Sequence, residues 1–156
     1  MIKTPKQEFI ELMTENMKAN GLDELSSKVL AVLFVEPSEI SLEDLALRTG
    51  YSLSTISTSM KFIEATGLVN KYKKPNSRKI FLHMDKSILD IMLRMLKRKQ
   101  ENVIQKSRDI LPSIIDHYKK AKASKEELKI IENYYQEVLL GEKLIKEFIE
   151  KIEHSR

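Results

Sequence analysis

Hydrophobic residues along most of this chain recur at intervals of three and four, the period of α-helices with one buried face. The exception is a pair of short strand-like runs, Val69–Lys73 and Lys79–His83, on either side of the turn signal Pro75-Asn76-Ser77. The pattern therefore predicts a mainly α protein with one small β-hairpin.

The first third of the chain predicts two helices. Thr4 or Lys3 begins the first, and Pro5 takes the first helical position, where the missing N–H costs nothing. This helix has two open roles, packing within the domain and forming part of a dimer interface. The second helix, from about Asp23 to Val35, is apolar over most of its surface, so we expect it to be central and buried. Ile40 is expected to add a short third strand.

The next stretch predicts two short helices joined by a turn. Ser41 is a good N-cap and Gly50 a good terminator, because glycine takes the left-handed conformation at little cost. Tyr51 is expected in the core at the turn. The following helix spans about 52–66, with Ser52 or Ser54 as its cap. Residues at spacings of four and three form its buried face: Ile56, Met60 and Ile63.

The opposite face of helix 52–66 is small, polar and free of carboxylates until Glu64. Short side chains allow close approach to a DNA groove, and hydroxyls can bond phosphates or base edges. Two helices followed by a hairpin are the order of a winged helix-turn-helix, so we interpret this helix as the recognition helix in a major groove. Its candidate DNA-binding residues are Ser52, Ser54, Thr55, Ser57, Thr58 and Lys61.

The hairpin is strongly basic. Five cations and no acids lie between Val69 and His83. A basic loop beside a groove-binding helix suits contacts with phosphates, or entry of Arg78 into the minor groove. The candidate DNA contacts of this wing (73–79) are Lys73, Lys74, Arg78 and Lys79.

The C-terminal half predicts long amphipathic helices. The first begins after Asp85 or Ser87 and turns polar at 97–102, and Pro112 is expected to kink it or to break it near residues 108–110. The last runs from Ser124 to about Glu153. Two such helices cannot bury each other's apolar faces, so we expect a partner chain. The sequence thus divides into a winged helix-turn-helix DNA-binding domain (1–84) and a linker helix with a helical dimerisation region (85–156).

The recognition helix and wing resemble those of GbsR/MarR-type transcription regulators. That family's pattern is a glycine, an apolar residue and a serine, then a Ser-containing helix with a Gly-Leu-Val exit, matched here by residues 50–61 and 64–69. Its wing is usually Pro-Gly-Asp-Arg-Lys, and this chain has Asn76-Ser77 in place of Gly-Asp. The resemblance implies a homodimer through the terminal helices. A dimer would place two recognition helices on a pseudo-palindromic operator of double-stranded DNA.

The distribution of charge along the chain supports a DNA-binding role. Residues 1–66 have a net charge of −4, residues 67–108 of +9 and residues 109–156 of −1. The positive field therefore lies in the wing and the helix after it, where it would steer the protein toward a polyanion. The 156 residues contain no cysteine, and no stretch has the length and apolarity of a signal core or membrane span. We expect a cytoplasmic protein without membrane contact.

Catalytic and metal-binding patterns are absent from the sequence. The four glycines form no phosphate loop, and the three histidines lie far apart. We therefore expect no enzyme activity, no cofactor and no metal. A small-molecule effector of unknown identity is compatible with this class of regulator. A quaternary ammonium would need an aromatic cage, for which the chain offers Tyr118, Tyr134, Tyr135 and Phe148, although core and interface packing explains these aromatics better.

A second hypothesis is a winged-helix protein-interaction module without a physiological DNA site, since fold alone does not decide function. Such a module would expose apolar or acidic residues on the second helix. Only Leu53 and Phe62 fit that description here.

Overall fold

The computed structural model describes residues 2–156. Seven α-helices, three strands and one π-helical segment follow one another in the order α1 (Pro5–Ala19), α2 (Glu24–Val35), β1 (Ile40–Ser41), α3 (Leu42–Thr49), α4 (Leu53–Ala65), β2 (Val69–Lys73), β3 (Ile80–Met84), α5 (Ile88–Lys99), the π segment (Gln100–Gln105), α6 (Lys106–Lys120) and α7 (Lys125–His154). The chain divides into two compact units, one ending at Asp90 and the other spanning Ile91–Arg156. This is a winged helix-turn-helix with a long helical region, so the predicted fold class is confirmed.

Helix α2 forms the centre of the first unit. Asp23 caps it by accepting a hydrogen bond from the Ser26 N–H, and five successive residues from Val29 to Leu33 are buried. A helix that is apolar all round must be covered on all sides, and α1, α3, α4 and β3 all pack against it. The predicted central helix is therefore confirmed.

Local caps set the bounds of the helix-turn-helix. The Ser41 hydroxyl accepts from the Asp44 N–H at the start of α3, and Gly50 ends α3 with φ of 76°. Ser52 caps α4, and Ile56, Met60 and Ile63 form its buried face, as predicted. The placement of Tyr51 in the core was wrong. Its ring is only half-buried, because the turn leaves it at the surface with the Lys28 ammonium 5.4 Å from its centroid.

The sheet is antiparallel, in the order β1-β3-β2. Ile40 pairs with Leu82, which confirms the predicted third strand, and Lys71 pairs with Leu82 from the other side. The second hairpin strand begins at Ile80, one residue later than the sequence indicated. Leu82 and Met84 are fully buried, so the sheet closes one side of the core and leaves the hairpin tip in solvent.

A buried carboxylate joins three elements of the first unit. The Glu36 side chain is 8% exposed, and it forms ion pairs with Lys6 of α1 at 2.8 Å and with Arg48 of α3. Burial raises the pKa of Glu36, but the hydrogen bonds and charges of Lys6 and Arg48 outweigh burial and hold the pKa below its ordinary value. Glu36 thus fixes α1 and α3 relative to the end of α2.

Glu36→Gln is expected to lower the free energy of unfolding at neutral pH by about 2 kcal/mol, since charged hydrogen bonds are lost. A depressed carboxyl pKa stabilises the fold above the ordinary value of 4.5 and loses that effect as pH falls through the folded-state value. The difference between wild type and variant should therefore shrink in acid, as urea titrations from pH 7 to 3 would measure. The control is Glu8→Gln, at an exposed position; an equal pH profile for both variants would contradict the role of Glu36.

The second unit begins within a long continuous helical segment, residues 88–120. Residues 88–120 are helical throughout, with the irregularity at the π segment, where the sequence turns polar. The predicted break near residues 108–110 was wrong, because α6 runs through Pro112. Pro112 lies on the exposed side, so water can satisfy the Arg108 carbonyl that the proline leaves without its helical donor.

Helix α7 packs along the helical segment 88–120. Ser124 caps α7, as predicted, by accepting from the Glu127 N–H. Leu93 lies in a core cluster with Ile149 and Ile152. These contacts bury one face of α7 within the unit.

A second set of contacts joins the middle of α7 to the π segment and α6. Arg108 of α6 forms an ion pair with Glu142, and Lys146 lies 3.0 Å from the same carboxylate. A Cβ at Gly141 would lie 3.8 Å from Ile104 of the π segment, in ordinary contact. An alanine would therefore fit at position 141 without displacing Ile104.

Candidate nucleic-acid interface

Helix α4, which the sequence predicts as the recognition helix, presents one buried and one exposed face. Ile56 and Ile63 are fully buried, and all six residues predicted to contact DNA at this helix are exposed: Ser52, Ser54, Thr55, Ser57, Thr58 and Lys61. Ser52 is the N-cap rather than a helical residue. The fold therefore brings these six side chains to one surface.

Several of the hydroxyls are already engaged within the helix. The Ser52 hydroxyl accepts from the Thr55 N–H at 3.1 Å and lies 2.7 Å from the Thr55 hydroxyl and 3.1 Å from the Ser54 hydroxyl. The Thr58 hydroxyl donates to the Ser54 carbonyl at 2.9 Å. Thr58 consequently offers a methyl group and acceptor lone pairs to a ligand, but not its proton.

Ser57 and Lys61 differ from these residues. Within residues 2–156 neither side chain has a hydrogen-bond or ion-pair partner. They lie four positions apart, about 6 Å along the helix axis, on one face. The free donors of α4 are therefore concentrated at these two positions.

The one acid of α4 is neutralised. Glu64 pairs with Lys71 of β2 at 2.8 Å, a link between α4 and the strand that leads into the wing. The sequence shows both charges but not their contact, because the residues belong to different elements. The exposed surface from Ser54 to the wing thus carries no free carboxylate on α4.

The wing tip is a hydrogen-bonded turn. The Ser77 N–H donates to the Lys74 carbonyl at 3.2 Å, with Pro75 at the second position and Asn76 at φ of 61°. Proline followed by a left-handed residue is typical of a type II turn, and asparagine tolerates that conformation. The Asn76-Ser77 pair therefore makes a defined tip.

Three of the four predicted wing cations are free. Lys73, Arg78 and Lys79 are exposed and have no ion-pair partner within the described chain. Lys74 is different, because its ammonium lies 2.6 Å from a carboxylate oxygen of Glu39 and 4.3 Å from the ring centroid of Phe81. Sequence reasoning missed Glu39, which lies 35 positions earlier in the chain.

The other candidate features are a metal site, a membrane-spanning helix and an aromatic cage. No cluster of three or more potential metal ligands occurs among residues 2–156. None of the helices in that range has the length and apolarity needed to cross a bilayer. The four aromatics that a quaternary-ammonium cage would need do not lie together, since Tyr134 and Phe148 are 14 positions, or about 21 Å, apart along α7.

Comparison with known proteins supports the fold. No protein-family profile and no curated protein sequence matches this chain. The chain is similar to the protein in a crystal structure of a transcriptional regulator, with a TM-score of 0.73 and 15% sequence identity over 97% of this chain and 99% of that one. At this identity the likeness establishes a shared fold over nearly the whole length.

Proposed function

We propose that this chain is a homodimeric, sequence-specific DNA-binding transcription regulator. In this proposal α4 enters the major groove, and the wing at 73–79 contacts phosphates or the minor groove. The observation that carries it is the set of exposed side chains without an internal partner, Ser57 and Lys61 on α4 and Lys73, Arg78 and Lys79 on the wing. Hydroxyls and cations without opposing carboxylates fit the edges and backbone of duplex DNA.

The structural likeness adds to this proposal. The similar protein is a transcriptional regulator, and the similarity extends over both the winged helix and the long helices. The recognition-helix and wing motifs further favour the GbsR/MarR type. We propose accordingly a cytoplasmic protein without enzyme activity, with DNA binding in residues 1–84 and dimerisation in residues 85–156.

The dimer proposal rests on a second apolar stripe along α7. Its members are spaced four, ten and four residues apart, with Glu137 and Gly141 at the two heptad positions between them, and they remain exposed in the single chain: Ile130 at 69%, Tyr134 at 49%, Leu144 at 54% and Phe148 at 45%. The buried stripe of α7 already packs within its own unit, so this second stripe has no partner there. Apolar residues at 3.5-residue intervals are the pattern by which helices of two chains pack.

The protein-interaction module remains the second candidate. Three exposed apolar side chains near the helix-turn-helix favour it: Leu47, which is 82% exposed, Leu53 and Phe62. Leu53 begins α4, and Phe62 lies four positions after Thr58, on the side of the helix that carries the hydroxyls. A DNA-binding measurement separates the two candidates.

The direct test is fluorescence anisotropy with the duplex upstream of the protein's own gene, across a salt series, against a scrambled duplex. Specific binding with a steep salt dependence is the expected result, because each phosphate contact releases counterions. Weak, equal binding to both duplexes calls for selection from random duplexes. If that selection enriches no sequence, the regulator proposal is wrong and the interaction module takes its place.

Arg78→Ala is expected to weaken binding to all duplexes and to reduce the slope of log K against log salt by about 0.9, the effect of one phosphate contact. The same salt series measures both quantities. Lys143→Ala is the matched control, because it removes an exposed cation of α7 far along the sequence from the wing. Equal slopes for wild type and Arg78→Ala would show that Arg78 does not contact a phosphate.

A further inference from the structure

The four wing cations proposed to contact DNA have two different environments. Lys73, Arg78 and Lys79 are unpaired, whereas Lys74 is held between the Glu39 carboxylate and the Phe81 ring. A cation that already has an anionic partner gains less from a phosphate, since it must first give that partner up. This difference suggests a division of roles within the wing.

The contacts of Lys74 connect the body of the first unit to the wing. Glu39 immediately precedes β1, and Phe81 of β3 pairs with Ser41 of β1 on one side and with Tyr72 of β2 on the other. The rings of Tyr72 and Phe81 stack with centroids 6.3 Å apart. Lys74 therefore lies where all three strands meet.

Lys74 is also the first residue of the wing turn. Its carbonyl accepts the Ser77 N–H, and the Ser77 hydroxyl in turn accepts the Lys79 N–H at 3.1 Å. These two hydrogen bonds connect Lys74 to Lys79 through Ser77. The contacts that hold the Lys74 side chain therefore also fix the start of the wing turn. The Lys74 ammonium also holds the pKa of the Glu39 carboxyl below its ordinary value.

We propose that Glu39 and Lys74 form an anchor that sets the wing in place, and that Lys74 is a positioning residue rather than a phosphate ligand. This inference rests on the proposed DNA-binding function, which it refines by dividing the wing into an anchor and three contacting cations. The Glu64–Lys71 pair ties the preceding strand to α4 in a similar way. The wing is then presented to the duplex at a fixed place.

Salt-dependent binding of the full chain tests this division. Lys74→Met removes the charge and keeps the apolar stem over Phe81, and Lys79→Met makes the same change at an unpaired cation. We expect Lys79→Met to reduce the salt slope by about 0.9, and Lys74→Met to weaken binding several-fold while changing the slope by less than about 0.3. A slope reduction of about 0.9 with Lys74→Met would overturn the proposal.

A double-mutant cycle tests whether Lys74 acts through its ion-pair partner, Glu39. If Lys74 acts through Glu39, Lys74→Met should have little further effect on affinity in a Glu39→Gln background, because the anchor is already lost. If Lys74 contacts a phosphate, its removal should be at least as costly in that background. An undiminished effect therefore counts against the anchor.

Hydrogen exchange of the free protein gives a readout without DNA. Glu39→Gln and Lys74→Met should both speed exchange of the Ser77 amide several-fold, and Lys79→Met should leave its rate unchanged. Unchanged exchange in the first two variants would refute the anchor. Absence of salt-dependent duplex binding by the wild type would instead refute the proposed function, so the two failures are distinguishable.

Discussion

Leu144→Glu is expected to convert the proposed dimer into monomers. The side chain is 54% exposed in the single chain and belongs to the second stripe of α7, so in the dimer the new carboxylate would be buried against the partner without a counter-ion. A penalty of about 3 kcal/mol would raise the dimer dissociation constant by about 100-fold. Sedimentation velocity across a concentration series measures this shift.

The same substitution should weaken operator binding by at least about 100-fold. A dimer bound at one half-site holds its second recognition helix at a high effective concentration over the other half-site, and a monomer loses that advantage. Binding to an isolated half-site should change little, because α4 and the wing are untouched. Anisotropy with full-site and half-site duplexes separates the two effects.

Leu139→Glu is the matched control for this prediction. Leu139 is 36% exposed on the same helix, and it lies five positions before Leu144, about 140° around the helix axis from it. If Leu139→Glu dissociates the protein and Leu144→Glu does not, a different face of α7 forms the interface. If neither does, α7 is not the dimer helix.

Features fixed by neighbouring residues were predictable from the sequence. The hydroxyls of Ser41, Ser52 and Ser124 each accept a hydrogen bond from the backbone N–H three residues later. Gly50 adopts a left-handed conformation directly after the last residue of α3. The buried face of α4 follows from helical periodicity alone. These elements define the winged helix-turn-helix, so its outline can be predicted from local sequence.

Features that depend on distant contacts were not predictable. Glu36 meets Lys6 and Arg48 from two other helices, and Lys74 meets Glu39 across the sheet. Pro112 looked like a helix breaker, yet its exposed position lets α6 continue. Nor does periodicity reveal that the Thr58 proton is donated to a carbonyl. The exposed surface of the candidate site was therefore predictable from the sequence, whereas the hydrogen bonds and ion pairs of each side chain on it depend on contacts that sequence spacing does not show.

Lys61→Ala is expected to lower affinity for the operator by about 5- to 150-fold and to relax the preference for guanine at one position of each half-site. The lysine is exposed and unpaired on the free face of α4, and lysine donors match the O6 and N7 acceptors of guanine at about 1–3 kcal/mol per good contact. Selection from random duplexes with wild type and variant measures the change in base preference.

Thr58 provides the contrasting result within the same helix. Because its proton is donated to the Ser54 carbonyl, its remaining groups suit a thymine methyl or an amino donor of adenine or cytosine. Thr58→Val keeps the methyl group and the shape of the side chain. The variant should therefore keep the wild-type base preference if the methyl makes the contact, and change that preference if the oxygen does.

For Lys61, a different outcome would contradict base recognition. A Lys61→Ala protein that loses affinity equally for every sequence, with a salt slope lower by about 0.9, would place the lysine on a phosphate. Base recognition by α4 would then rest on its exposed hydroxyl residues, Ser54, Thr55, Ser57 and Thr58, because these would be the predicted contacts of α4 left to read bases.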